Sequence, residues 1–95
     1  MELAMTTSEL QKTRVQFSLR PEEAVKEAFL AGDFSNWRPV PMARRKDGSF
    51  TIAIPLRPGR YEYKYIVDGK WIVDPGTSMW AENPFGSVNS VVEVR

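Results

Sequence analysis

The sequence predicts an all-β protein built as a small antiparallel sandwich. Three observations lead to this fold class: runs in which apolar and polar residues alternate, turn dipeptides between those runs, and a spacing of roughly 8–12 residues from one run to the next. The chain has 95 residues, which is enough for one domain with one modest core. We expect a flexible N-terminal tail over residues 1–13 and a single β-sandwich domain over residues 14–95.

The first predicted strand follows the tail. Val15, Phe17 and Leu19 alternate with Gln16 and Ser18, which is the pattern of a strand with one buried face.

The segment from residue 21 to residue 32 is ambiguous. Pro21 is followed by two glutamates, apolar residues recur at helical spacing, and Gly32 stands at the end, so the segment has the signals of a helix. Residues 25–30 could equally be a strand buried on both faces. Local rules favour the helix slightly.

The rest of the chain has consistent β signals. Turn dipeptides stand at Asp47-Gly48, Pro58-Gly59 and Asp68-Gly69, and the last of these is the strongest hairpin signal in the sequence. A polar stretch with proline and glycine, residues 74–87, is predicted as a long loop. The strands predicted around these turns are residues 50–56, 61–67, 71–73 and 88–94, which gives about seven or eight short strands in all.

The composition excludes many kinds of catalytic site. The chain has no cysteine and no histidine, so thiol nucleophiles, Ser-His dyads, disulfides and the usual zinc sites are excluded. Its aspartates stand in turns, where their own backbone hydrogen bonds favour them, and nothing indicates two carboxylates across a cleft. We therefore expect no enzymatic activity, no catalytic residue, no cofactor and no bound metal.

The charge balance and the absence of targeting signals narrow the partners. Thirteen basic and twelve acidic residues leave a net charge of +1, so no global field draws the protein to nucleic acid or to an anionic membrane. The sequence has neither a signal-peptide pattern nor 18 consecutive apolar residues. We expect a cytoplasmic protein with no nucleic-acid partner and no membrane contact.

The hairpin at Asp68-Gly69 fixes two faces. A two-residue turn pairs Ile66 with Trp71, and directly opposed residues share a face. Lys64 and Trp71 then lie side by side on the outward face, either as a lysine that shields a surface tryptophan or as part of a ligand site. The residues predicted for the core-facing side are Tyr63, Tyr65, Val67 and Ile72.

Four segments together resemble one family of carbohydrate-binding domains. They are LAGDFSNW (residues 30–37), YEYKYIVDGKW (61–71), Asp74-Pro75 and FGSVNSVVEV (85–94). In this order they resemble the glycogen-binding module of the AMP-activated protein kinase β subunit and the early-set domain of isoamylase-type debranching and branching enzymes. The resemblance implies an immunoglobulin-like, early-set antiparallel β-sandwich that binds α-1,4-linked glucans without catalysis. It also implies a strand, not a helix, at residues 25–30.

The resemblance implies six carbohydrate-binding residues. The sugar-stacking tryptophans of the family fall on Trp37 and Trp71, the hydroxyl-binding lysine falls on Lys64, and the asparagine of the last motif falls on Asn89.

Two further implied site residues depart from the family pattern, and one tryptophan is unassigned. Phe85 stands in place of the leucine that projects into the curve of the glucan, and Ser87 replaces a threonine but keeps the hydroxyl. Trp80 matches no motif position and could either pack within its loop or contact sugar.

The residue types suit a sugar ligand. A pyranose ring has an apolar face that flat aromatic rings can cover and a hydroxyl rim that Lys, Asn and Ser can satisfy. If stacking removes about 100 Å² of apolar area, each tryptophan contributes about 2.5 kcal/mol before ordering costs. Two such platforms predict dissociation constants of roughly 10 μM to 1 mM for an α-glucan polysaccharide or malto-oligosaccharide.

Two other functions stay open from the sequence. The domain could be a regulatory scaffold that docks to a glycan-metabolising enzyme or a kinase. It could also bind nucleic acid through Arg44, Arg45 and Lys46, although a solvated loop is the favoured explanation of that basic run.

Overall fold

The computed structural model describes residues 12–95 and confirms the all-β class. Most of the predicted tail, residues 1–11, lies outside the described residues, and the first strand begins at Thr13. The strands are β1 (Thr13–Leu19), β2 (Ala28–Gly32), β3 (Val40–Pro41), β4 (Ala43–Arg44), β5 (Phe50–Leu56), β6 (Gly59–Val67), β7 (Lys70–Ile72), β8 (Trp80–Glu82) and β9 (Val88–Val94). A 3₁₀ turn, Asp33–Ser35, follows β2.

The strands form two antiparallel sheets. One has the order β1-β5-β4, and the other has the order β3-β2-β6-β9-β8, with β7 also paired to β6. The predicted hairpin register is confirmed, since Ile66 lies opposite Trp71 and Tyr65 opposite Ile72. Asp68 and Gly69 both have positive φ angles, 46° and 83°, which a two-residue hairpin turn of this type requires.

The core lies between the two sheets and is rich in aromatic rings. Phe17 of β1 packs edge-on against Tyr63 of β6 at a centroid distance of 5.0 Å, and Tyr63 packs against Tyr65 at 5.9 Å. The Tyr63 hydroxyl donates to the Asp74 carboxylate at 2.6 Å, and the Tyr65 hydroxyl donates to the Ser18 carbonyl at 3.2 Å. Burial, with a smaller contribution from Asp74, raises the pKa of both tyrosines above the usual value.

The helix that local rules favour at residues 21–32 is wrong. Residues 21–27 are irregular, and the strand that the resemblance implied is confirmed in type but runs over Ala28–Gly32 instead of 25–30. Strand β2 pairs with β6, with Gly32 opposite Tyr63. This pairing overrides the local preference for a helix. A Cβ on Gly32 would meet the Glu62 carbonyl oxygen at 2.6 Å, so only glycine permits this close approach.

The predicted loop at residues 74–87 contains a strand, β8, which is a correction. Ala81 lies opposite Asn89 of β9, and β8 forms the edge of the larger sheet. Three residues are too few to show a period-2 pattern, and the same holds for the two-residue strands β3 and β4.

No helix within residues 12–95 has the length and apolar character needed to cross a bilayer.

Candidate functional site

The six residues implied for carbohydrate binding all line one open depression on the outer face of the larger sheet. Its volume is about 450 Å³. The predicted residues on its lining are Trp37, Lys64, Trp71, Phe85, Ser87 and Asn89. Trp71 is 48% exposed, as the hairpin register predicts for an outward residue.

A turn with unusual backbone geometry presents Trp37. Asn36 and Trp37 both have left-handed φ angles, 53° and 61°, and the Trp37 amide donates to the Gly32 carbonyl at 2.9 Å. A bulky residue in this region is an outlier that costs roughly 1–3 kcal/mol. The Ser35 hydroxyl lies 3.1 Å from the Gly32 carbonyl and 2.9 Å from the Arg38 carbonyl, so it braces the turn from inside.

The orientation of the Trp37 ring is fixed by Asp33. The indole Nε1 donates to Asp33 Oδ1 at 3.1 Å, while the second oxygen, Oδ2, accepts the backbone N–H of Glu62 at 2.7 Å. One carboxylate therefore ties the tryptophan to strand β6. This places the aromatic wall of the depression in a fixed position relative to the sheet.

A chain of hydrogen bonds forms the polar side of the depression. Lys64 Nζ donates to Ser87 Oγ at 3.2 Å, and Asn83 Nδ2 donates to the same oxygen at 2.7 Å. Asn83 Nδ2 also donates to Asn89 Oδ1 at 3.1 Å, and Asn89 Nδ2 donates to Glu62 Oε1 at 3.0 Å. Asn89 is only 7% exposed, so this network holds donors and acceptors in place before any ligand arrives.

Phe85 is the most exposed large apolar side chain at the site. It is 91% exposed, at the tip of a loop where the following residue, Gly86, has a φ angle of 81°. Asn83 Oδ1 accepts the Phe85 amide at 3.0 Å, so the loop that carries the ring is anchored to the polar network. An aromatic ring held out into solvent in this way is suited to contact a ligand.

Five lining residues were missed by the reasoning from sequence: Asp33, Glu62, Glu82, Asn83 and Pro84. The signal for Glu62 was present, because alternation along β6 puts it on the same face as Lys64. Asp33 is a turn residue, as the sequence predicts, and its side chain also accepts a hydrogen bond from the Trp37 ring. No local pattern marked Asn83.

Trp80 and the basic run lie away from this depression. Trp80 is 61% exposed and lines a separate groove. The Arg44 guanidinium donates to the Val25 carbonyl at 2.6 Å and lies 5.7 Å from the centroid of the Phe50 ring, so this arginine has a structural role. Among residues 12–95, no three acidic side chains are grouped so that they could hold a metal ion.

Comparison with known proteins gives one family over nearly the whole chain. The family model described as the glycogen recognition site of AMP-activated protein kinase matches residues 12–95.

Individual relatives agree with this family. The chain is 34% identical over 70 residues to the 5'-AMP-activated protein kinase subunit beta-1 of Sus scrofa, covering 74% of this chain and 56% of that protein. It is 36% identical to the beta-1 subunit of Bos taurus, over 74% of this chain and 25% of that protein. To the beta-2 subunit of Mus musculus it is 30% identical over 77 residues, which cover 81% and 28% of the two chains. The matched region thus spans between about a quarter and about half the length of these relatives.

Proposed function

This chain belongs to the family of glycogen recognition sites of AMP-activated protein kinase, and from that premise we propose that it binds α-1,4-linked glucans without catalysing a reaction. The ligand is an α-glucan polysaccharide or a malto-oligosaccharide met in the cytoplasm. One observation carries the proposal: two tryptophans, a phenylalanine and three polar side chains converge on a single open depression of about 450 Å³.

In the proposed complex, the apolar faces of the glucose rings lie on Trp37 and Trp71. Each platform contributes about 2.5 kcal/mol before ordering costs, for about 100 Å² of apolar area removed from water. The Lys64 ammonium has three donors and uses one on Ser87, so the others are available to sugar hydroxyls. Phe85 projects against the curve of the glucan.

Two carboxylates at the depression, those of Asp33 and Glu62, support binding in preference to hydrolysis. Asp33 accepts hydrogen bonds from the Trp37 ring and from the Glu62 backbone, and the Glu62 side chain accepts one from Asn89. These groups are engaged in holding the binding residues. A glycosidase instead needs one carboxyl group poised to protonate the leaving group and another poised for attack or for activation of water.

Titration with maltoheptaose tests the proposal. Calorimetry and intrinsic tryptophan fluorescence are expected to give a dissociation constant of about 10 μM to 1 mM, from the two stacking platforms. Trp71→Ala is expected to weaken binding at least tenfold, because it removes one platform. Lys70→Ala is the matched control: it removes an exposed side chain from the same short strand, next to Trp71 and off the lining of the depression.

Two results would contradict the proposal. One is a wild-type protein that shows no heat and no fluorescence change with maltoheptaose. The other is a Trp71→Ala variant that binds as tightly as Lys70→Ala.

We also propose that the module brings a kinase or a glycan-metabolising enzyme to its glucan. The relatives are longer chains named as kinase subunits, of which the matched region is between about a quarter and about half. Co-sedimentation with glycogen tests this: a purified kinase catalytic subunit from the same organism is expected to pellet with glycogen only when the module is present. Equal pelleting without the module would contradict this role.

A further inference from the structure

Exposed large apolar side chains form two separate groups in the part of the chain that the structure describes. Trp71 and Phe85 belong to the depression described above. Val73, Met79 and Trp80 lie outside it, and Trp80, at 61%, is more exposed than Trp71 at 48%. The proposed function uses none of this second group.

Trp80 lines a groove of about 380 Å³ with a mainly apolar wall. Val73, Pro75 and Val88 supply the aliphatic surface, and Asp74 and Thr77 supply polar atoms. The Thr77 hydroxyl oxygen accepts the Met79 amide at 3.1 Å, which leaves its O–H free to donate. A flat aromatic ring beside a few polar groups is the combination that an amphipathic sugar ring requires.

The groove is built on fixed parts of the fold. Trp80 lies opposite Ser90 in the β8–β9 pair, and the Ser90 hydroxyl accepts the Asp74 amide at 2.7 Å. The Asp74 carboxylate accepts the Tyr63 hydroxyl at 2.6 Å, so Asp74, which also lines the groove, is anchored to a core residue. Trp80 is therefore 61% exposed on a strand that is paired to β9.

The groove and the depression share strand β9. Asn89, with Ser87 just before the strand, lines the depression, whereas Val88 and Ser90 line the groove. Successive residues of a strand point to opposite faces, so the two concave surfaces lie on either side of the same sheet edge. Glycogen carries many chain ends close together, and a polymer of this kind can present one segment to each surface.

We propose that the groove around Trp80 is a second saccharide-binding site, which takes another segment of the α-glucan polymer already held in the depression. The inference rests on the proposed function and deepens it. A second site on one polymer adds avidity through effective concentration, and the gain is absent for a ligand too short to engage both sites. The module would thus favour branched or long glucans over short oligosaccharides.

The experiment compares maltotriose with glycogen for three variants. Trp80→Ala is expected to weaken glycogen binding about tenfold and to leave maltotriose affinity within about twofold of wild type. Met79→Ala is the matched control, because it removes the neighbouring exposed apolar side chain, which does not line the groove. Trp71→Ala, which removes a stacking platform of the depression, is expected to lose maltotriose binding. In a ¹H–¹⁵N spectrum, glycogen fragments are expected to shift the indole signals of Trp37, Trp71 and Trp80 together, whereas maltotriose is expected to shift that of Trp80 only at higher concentrations than those of Trp37 and Trp71.

Each alternative outcome overturns the inference. If Trp80→Ala binds glycogen like Met79→Ala, the groove is not a saccharide site. If Trp80→Ala weakens maltotriose and glycogen equally, Trp80 acts on the depression itself. If wild type dimerises with increasing concentration and Trp80→Ala abolishes this, the groove joins two copies of the chain.

Failure of the proposed function has a different signature. Maltotriose would then fail to bind wild type, or would bind Trp71→Ala as tightly as wild type, and the inference would fall with the proposal.

Discussion

The two faces of strand β6 have different roles: the inner face packs in the core, and the outer face lines the candidate site. On the inner face, Tyr63 and Tyr65 are buried at 3% and 0% exposure and pack edge-on against each other. On the outer face, Glu62 and Lys64 are half-buried and line the candidate site. Because side chains alternate along a strand, a residue that stabilises the fold stands directly next to a residue that lines the candidate site.

The hydrogen bonds on the two faces differ in the same way. Inside, the hydroxyl of the buried Tyr63 donates to Asp74 at 2.6 Å. Outside, Lys64 bonds Ser87 at an exposed position, where a ligand hydroxyl can compete. A change on the inner face should therefore alter the free energy of unfolding, and a change on the outer face should alter affinity.

The largest expected effect is that of Tyr65→Ala on stability. The side chain is fully buried, so its removal leaves a cavity and is expected to lower the free energy of unfolding by about 3–5 kcal/mol. Urea denaturation followed by circular dichroism measures this. The outward counterpart, Trp71→Ala, is expected to change the same quantity by only about 0.5 kcal/mol or somewhat more. Equal losses of stability for the two variants would break the comparison.

Alkaline pH is expected to weaken the packing of the inner face. Burial, and then Asp74, raise the pKa of Tyr63 and Tyr65 in the folded protein above the unfolded value of about 10. The contribution of the neutral tyrosines is complete below pH 10 and is lost as pH rises towards the folded pKa. The loss is at most about 1.4 kcal/mol per pH unit for each tyrosine.

Urea midpoints between pH 9 and pH 11 measure this dependence. Tyr63→Phe is expected to reduce the slope, since one titrating group is gone. If the slope of Tyr63→Phe matched that of wild type, the buried tyrosines would not account for the alkaline instability.

Much of the fold was predictable where a turn fixes the register. The Asp68-Gly69 dipeptide specifies a two-residue hairpin, and that alone placed Trp71 opposite Ile66 and outward. The segment 21–32 was not predictable by local rules, because its strand depends on pairing with β6, and the Asp68 carboxylate accepts the amides of Lys26 and Glu27 just before it. Tertiary contacts decided that segment.

The candidate site was predictable to a smaller extent. The two-residue hairpin turn predicts that Lys64 and Trp71 are adjacent on one face. The position of Trp37 at the site was predicted only by the family resemblance. A left-handed φ of 61° is improbable for tryptophan, so residue types alone give no reason to expect it. Asn83 was missed because its role depends on side chains brought together by β8 and β9.

A moderate effect on the outer face is expected for Asp33→Ala. The variant frees the Trp37 indole and leaves the Glu62 amide without its acceptor, so affinity for maltoheptaose is expected to fall about three- to tenfold. Asp33→Asn is expected to lie between this variant and wild type, since its single carbonyl oxygen cannot replace both carboxylate oxygens. Calorimetric titration measures the affinities.

Asp47→Ala provides the control for Asp33→Ala. Asp47 is also a turn aspartate, bonded to the Ser49 amide at 2.9 Å and remote from the depression. Its removal is expected to cost stability without changing affinity. An affinity loss of the same size in Asp47→Ala would show that Asp33 acts through general stability and does not position Trp37.

The smallest expected effect is that of salt on glucan binding. A neutral glucan releases no condensed counterions, so maltoheptaose affinity at the outer face is expected to change less than about twofold between 50 and 500 mM salt. A duplex bound at the basic run would behave differently. Arg44 is engaged with the Val25 carbonyl, which leaves Arg45 and Lys46 to neutralise about two phosphates and gives a log–log slope of about −1.8. That slope corresponds to a loss of roughly sixtyfold over the same range. The protein could instead bind an oligonucleotide with this salt dependence and fail to bind maltoheptaose. That result would show that the functional surface is the turn before β5 and not the outer face of β6.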